Sequence, residues 1–383
     1  MDKNIQVLKS EQTLKNKLSD YHTRYAKFYP AIFFAAGFLF DIFTLSRVDD
    51  VFSIIQQAVY IFIIIQILKY KTFEQAGIWQ PQPQIAKYWA YSTDALHFML
   101  GSLLSVYTLF YFVSSSLATS FIFMFIIAIL LVANELPSIQ KQGLILKYAL
   151  QSICIFSFLF ILVPVALGFI GFVPFIISLT IGLAFSFAQF KGFEKLNLPN
   201  IDLKKNILMP PAIVATTLLT LYVFKLLPPI PLSIQYIGIY HQVEKVRTTD
   251  PKTSQVDTHY NLKYDRPAYK FWQNGAQDFV AEPGDKIHCF IRVFAPQNFK
   301  DKIVYHWLIR REDEWQTSDK VISDISGGRS AGFRSFTAKS NFEPGDWRVQ
   351  IETTDGREIG RINFTVELEP NKNLVREFHA DVY

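Results

Sequence analysis

Residues 226–245 read LLPPIPLSIQYIGIYHQVEK, with Pro228, Pro229 and Pro231 falling within four positions. Proline cannot donate the helical hydrogen bond and its ring clashes with the preceding turn. A helix arriving from the N-terminal side should therefore break there, and Pro231 should keep the chain extended. On that side the chain is dominated by Phe, Ile and Leu; the 383 residues include 36 Phe and are 50% apolar. From Gln235 onward charges become dense and short strand-like runs begin. The piece LSIQYIGIY is too apolar for a flexible tether and too short to span a bilayer. It reads as an interfacial or strand-like segment that holds the following domain against the membrane, with Tyr236 and Tyr240 expected at headgroup level. Residues 228–240 are thus a stiff joint between two unlike halves.

Upstream, seven apolar runs are candidate membrane helices: 28–45, 51–68, 98–113, 118–132, 149–167, 175–190 and 207–227. Lys and Arg favour the cytoplasmic side of short loops. With the N-terminus inside, the inner segments hold 15 of them and the outer segments hold 2, Arg47 and Lys225. That asymmetry predicts a cytoplasmic N-terminus and places everything after residue 227 outside. A polar stretch of 27 residues precedes the first span, so that span reads as uncleaved. Through that stretch and into the span, Leu14, Leu18, Tyr21, Tyr25 and Phe28 form a narrow helical stripe. WQPQPQ at residues 79–84 reads as a turn leading into an interfacial helix. The net charge of +5 is this topology signal and implies no nucleic-acid partner.

Downstream, DKIHCFIRVF alternates, with Ile287, Cys289, Ile291 and Val293 on one face. Trp347, Val349 and Ile351 share a face in WRVQI, and TTDGRE is a hairpin signal because Asp-Gly readily adopts primed turns. Period-2 runs at this spacing predict an all-β, immunoglobulin-like sandwich. The expected organisation is an amphipathic helix at 1–27, an all-α membrane bundle at 28–227, the joint at 228–240 and a periplasmic β-sandwich at 241–383. Cys154 and Cys289 fall in different halves, so no disulfide is expected between them.

VYHWLIRR, followed by FRSFTAKSNFEPGDWRVQIETTDGREIGRINFTVE, resembles an uncharacterised bacterial domain-of-unknown-function family. The matching positions are His306, Trp307, Gly345, Trp347, Arg348, Val349, Asp355, Gly356, Phe364 and Val366. GFLFDIFTLSRVDD and PPIPLSIQYIGIYH look like its polytopic members, and the middle spans are unmatched. The resemblance implies an inner-membrane setting and a small terminal β domain. It implies no activity.

Candidate functional residues are few. Asp41 and Lys225 fall at similar depth in the outer part of the first and last spans, and Glu135 falls near the inner end of the fourth. Ionisable groups there either pair structurally or line a route for ions, and a structural role is the favoured one. Gln56, Gln57, Gln66, Gln151 and Gln189 are expected to bond across helices. In the YHW strand, Tyr305 and Trp307 share one face and His306 the other, so His306 and Arg310 form a candidate binding face. No His, Cys, Asp or Glu spacing fits a metal, SGGRSAGF lacks a phosphate-loop context, and no cofactor is expected. The leading expectation is a non-enzymatic inner-membrane protein whose periplasmic domain binds a protein, glycan or envelope component, with homo-oligomerisation left open. The alternative is a transporter or channel using Asp41, Lys225 and Glu135. An enzyme acting on lipid-linked substrates ranks last, because no acidic or histidine cluster gathers at one membrane face.

Overall fold

A computed structural model describes residues 48–116, 123, 125–127, 129–130, 143–249, 256–329, 332–369 and 378–383. The stretch 1–45, with Asp41, lies outside those residues, as do Glu135 and most of the candidate span at 118–132.

Five helices among the described residues are long and apolar enough to cross a membrane. They are α1 (Val51–Gln75), α3 (Ser92–Val113), α4 (Leu144–Leu167), α5 (Phe172–Glu194) and a last one in which a π-helical turn, Lys204–Leu208, runs into α6 (Met209–Val223). The short α2 (Pro83–Trp89) sits between α1 and α3, with Tyr88 exposed. It starts on proline, whose missing N–H is harmless in a first turn. Asp50 caps α1 by accepting the Ser53 amide at 2.9 Å.

Helix α4 is central and packs on α1, α3, α5 and α6. Gly182 lets α5 close on it, because a Cβ there would run into the Phe156 ring. Polar pairs cross between helices: Thr72 with Tyr148 at 2.9 Å, Tyr111 to Ser157 at 3.2 Å, and Gln151 to Gln189 at 3.2 Å.

The last helix does not run to residue 227, and the prolines do not end it. Its α6 part stops at Val223. The Leu226 amide bonds the Leu221 carbonyl and the Lys225 amide bonds that of Tyr222, each at 2.9 Å, with Lys225 at φ 59°. These are the paired bonds of a Schellman C-cap. The chain has turned before Pro228 is reached, with lysine at a left-handed position that costs about 1 kcal/mol.

The joint residues Pro228, Pro229 and Pro231 are buried. Leu227 and Ile230 join the core of the helices, and Leu232 joins the core of the β domain. The following segment takes the strand alternative and forms β1 (Ser233–Tyr240). Tyr236 and Tyr240 are both held inside the β domain. Their hydroxyls meet at 2.5 Å within the β domain, where Tyr236 packs on Tyr383 and Tyr240 on Tyr264.

The C-terminal half is a β-sandwich. The remaining strands are β2 (Gln242–Thr249), β3 (Val256–Tyr264), β4 (Asp278–Ala281), β5 (Ile287–Phe294), β6 (Lys300–Arg311), β7 (Glu314–Ser326), β8 (Phe333–Lys339), β9 (Gly345–Thr353), β10 (Glu358–Leu368) and β11 (His379–Val382). One sheet runs β1-β5-β8, a second β4-β10-β9-β6-β7, and a third β11-β3-β2. Ile287, Cys289, Ile291 and Val293 are buried, as are Tyr305, Trp307, Trp347, Val349 and Ile351, so the alternations read from sequence set the inward faces. β9 and β10 pair antiparallel across the Asp-Gly turn. Cys154 and Cys289 are both free and buried.

Candidate functional site

Two polar regions stand out in the β domain, one where it meets the helices and one on the outer face of the five-stranded sheet.

At the junction, the start of β6 and the β9–β10 hairpin rest on the helix ends. The Lys300 amide donates to the Gly168 carbonyl at 2.9 Å, and the Ile170 amide to Asp301 at 2.8 Å. Tyr222 of α6 donates its hydroxyl to Asp355 at 2.6 Å. Ser116, beyond α3, donates to Glu358, which also pairs with Arg361. Arg357 binds Asp355 through Nε at 3.0 Å and lies 4.7 Å over the Tyr222 ring, which stacks on Phe175 at 4.0 Å. Lys225 reaches the same hairpin, its ammonium lying where a Gly356 side chain would start. Burial pushes the Asp355 carboxyl up, but the Arg357 charge and hydrogen bonds from Thr353, Tyr222 and Arg357 outweigh it and hold the group below its ordinary value. Asp301 goes the other way, raised chiefly by burial. A cavity of about 20 Å³, lined by Tyr111, Phe160, Phe175, Leu227, Pro228 and Arg357 among others, has room for about one water. The arrangement fixes the orientation of one half on the other; its groups are committed to one another.

On the outer face, strand pairing puts Trp315 beside Arg310, Arg348 beside Asn363, Asp346 beside Thr365, and Thr365 beside Asp278. These residues line a groove of about 530 Å³, walled on one side by Gln273 and Gln277 of the loop 265–277. The Arg348 guanidinium lies 3.9 Å over the Trp315 ring and donates from Nε to Asn363 at 2.8 Å. Burial, then the Arg361 and Arg310 charges, pull its pKa below the usual arginine range, against Glu358. Asp278 accepts from Lys270 at 2.6 Å and Gln273 at 2.8 Å, and these bonds hold its carboxyl below the ordinary value despite burial. The same loop exposes Tyr269 (67%), Phe271 (81%) and Trp272 (65%), enough apolar ring to demand an explanation. Asp301 at the junction and Arg310 in the groove share β6, so the Arg310 end of the groove lies about 30 Å from the helices at 3.3 Å per residue, while the Asn363 end, on the same strand as Glu358, lies about 17 Å away.

Of the residues singled out in the sequence, Asp41 and Glu135 lie outside the described residues. Lys225 sits two residues past the end of α6. His306 and Arg310 fall on the outer face, but only Arg310 lines the groove. His306 is held by Glu352 through Nδ1 and by Thr317 through Nε2, each at 2.8 Å, with its side chain 12% exposed. Sequence reasoning missed Trp315, Asn363, Gln273, Gln277 and Asp278 in the groove, and Ser116, Tyr222, Arg357 and Glu358 at the junction. Period 2 from the buried Trp347 already turns Arg348 outward; its meeting with Trp315 and Asn363 needed the strand pairing. Among the described residues, no group of His, Cys, Asp or Glu has the makings of a metal site.

No curated protein matches the sequence. Solved structures that show weak similarity include two bacterial proteins. One is described as an immunoglobulin-like protein from Pseudomonas aeruginosa, at 15% identity over 34% of this chain and 97% of that one, with a TM-score of 0.18. The other is the alkylpurine DNA glycosylase AlkC of Pseudomonas fluorescens bound to DNA with an abasic-site analogue, at 10% identity over 85% and 100%, with a TM-score of 0.21. At such scores neither bears on the fold or the activity of this chain. Residues 300–366, the run from β6 to within β10 that supplies Arg310, Trp315, Asp346, Arg348, Asn363 and Thr365, match a family model described as a protein of unknown function, DUF2914.

Proposed function

We propose that this is a multi-pass inner-membrane protein that holds its β-sandwich on the periplasmic side and binds an envelope partner on the outer face of the five-stranded sheet. The observation that carries this reading is the pairing of a fixed base with a distant open groove. Hydrogen bonds at Gly168, Ile170, Ser116 and Tyr222 tie the domain to the helices, while the groove opens further out, its Arg310 end about 30 Å along β6. A domain free to tumble would need no such base. The 15-to-2 bias of Lys and Arg in the upstream loops supports the periplasmic side. The transport reading draws no support from Lys225, which lies on the hairpin beyond α6.

The test is photo-crosslinking in intact cells, with a crosslinking amino acid placed at Gln277 beside the groove and, as control, at Glu244 on the third sheet. A specific adduct at Gln277, absent at Glu244, is expected. Equal labelling at both positions, or none at either, would sink the reading.

A further inference from the structure

We infer that the groove takes an uncharged oligosaccharide chain, an inference that rests on the outer sheet face being the binding face. The charge pattern argues first. Lys270, Arg310 and Arg348 meet Asp278, Asp313 and Asp346 in the groove or on its rim, and two of the three cations are paired there: Lys270 with Asp278 at 2.6 Å, and Arg310 with Asp313 at 2.9 Å and Asp346 at 3.8 Å. A phosphate, a nucleic acid or an acidic peptide would meet as many carboxylates as cations, and a basic peptide the reverse. Electrostatic complementarity, which selects charged partners, has nothing to act on here.

The hydrogen-bonding chemistry argues second. The groove sets amide, carboxylate, guanidinium and hydroxyl groups side by side: Gln277 and Asn363, Asp346, Arg348, Thr365. A sugar hydroxyl donates one hydrogen bond and accepts others, so it needs both kinds of partner within reach. Protein hot spots instead centre on desolvated apolar or aromatic pockets, whereas here Trp347 and Phe364 line the groove while almost wholly buried themselves, 1% and 4% exposed, and the Trp315 ring is covered by Arg348. The volume, about 530 Å³, falls in the range of small-molecule sites, and the groove is open to solvent rather than closed over.

The loop forming one wall argues third. It exposes Phe271 and Trp272, ring centroids 5.4 Å apart, between Lys270, which pairs with Asp278, and the groove residue Gln273. Flat rings that are apolar on their faces suit the C–H faces of pyranose rings. The loop is also tied to the end of β1 remote from the joint, through Ile239 and Gly275.

The test uses the full-length protein in lipid nanodiscs, titrated by calorimetry with cellohexaose, chitohexaose and maltohexaose, with dextran sulfate as the anionic comparison. Saturable binding of at least one neutral hexasaccharide is expected, weakened about tenfold or more by Asn363→Ala and by Trp272→Ala. Glu244→Ala should leave it unchanged, and thermal unfolding of each variant shows that it remains folded. The inference is overturned if none of the three sugars binds, if dextran sulfate alone binds, or if Asn363→Ala in the groove and Trp272→Ala on the adjoining loop both bind like the parent. Should the sugars fail while Gln277 still crosslinks specifically to a protein in cells, the sugar inference falls and the binding face stands. Should both fail, the face falls too.

Discussion

Tyr222, Asp355 and Arg357 show how a few groups can hold two domains together. Removing one hydroxyl, as in Tyr222→Phe, takes a single bond from a half-buried carboxylate and should cost about 1–2 kcal/mol. Asp355→Ala should cost more, about 3–5 kcal/mol, because it leaves the Arg357 charge buried without its partner. Thermal unfolding of the two variants checks the order; equal losses would contradict it. The pH dependence has a defined sign. The folded pKa of Asp355 is depressed, so its contribution is complete above the ordinary carboxyl value of 3.8 and is lost as pH falls through the lower folded value. The unfolding-temperature gap between the parent and Asp355→Asn should therefore shrink below that pH. Asp301, with its pKa raised, opposes this by adding stability as pH falls toward 3.8, so the gap is best read in an Asp301→Asn background. A gap constant from neutral pH down to 3 would remove Asp355 from the docking account. None of this cluster was legible in the sequence: Tyr222 and Asp355 are 133 positions apart, and each alone reads as an ordinary helix tyrosine and turn aspartate.

At the scale of elements, the sequence was most readable where one rule acts locally. Alternation in β5, β6 and β9 turned Cys289, Trp307 and Trp347 inward because a half-buried strand permits only one register. Rules acting at a distance were less readable. The prolines after α6 signalled a break, but a Schellman cap closing on Lys225 ends the helix earlier, and such a cap usually announces itself with glycine. The α4–α5 turn does use glycine where it must. Gly168 has φ 79°, and a Cβ there would lie 3.0 Å from the Asn298 carbonyl oxygen. Gly168→Ala should strain the turn by about 1 kcal/mol or more and weaken the Lys300-to-Gly168 bond. Hydrogen exchange at the Lys300 amide should quicken while the β9–β10 ladder stays protected. Unchanged exchange at Lys300 would mean the turn does not hold the domain.

For the whole molecule, two cores meet at the joint, and they should fail separately. Trp347 lies in the β core, 1% exposed, and Trp347→Ala should cost about 3–5 kcal/mol there. Circular dichroism should then show a lower melting step for strand signal, with helix signal nearly unmoved; one merged transition would mean the halves fold as a unit. The course of β6 has a mechanical consequence. A strand that begins against the helix ends and finishes in the groove carries tension lengthwise, from whatever is held outside to the base. Its neighbours β7 and β9 grip it by ladders that such a pull must shear along many bonds together. Among the described residues the base is held by a handful of bonds. Drawn by its groove in a force spectrometer, the domain should lift from the helices as an intact body before any strand leaves its sheet.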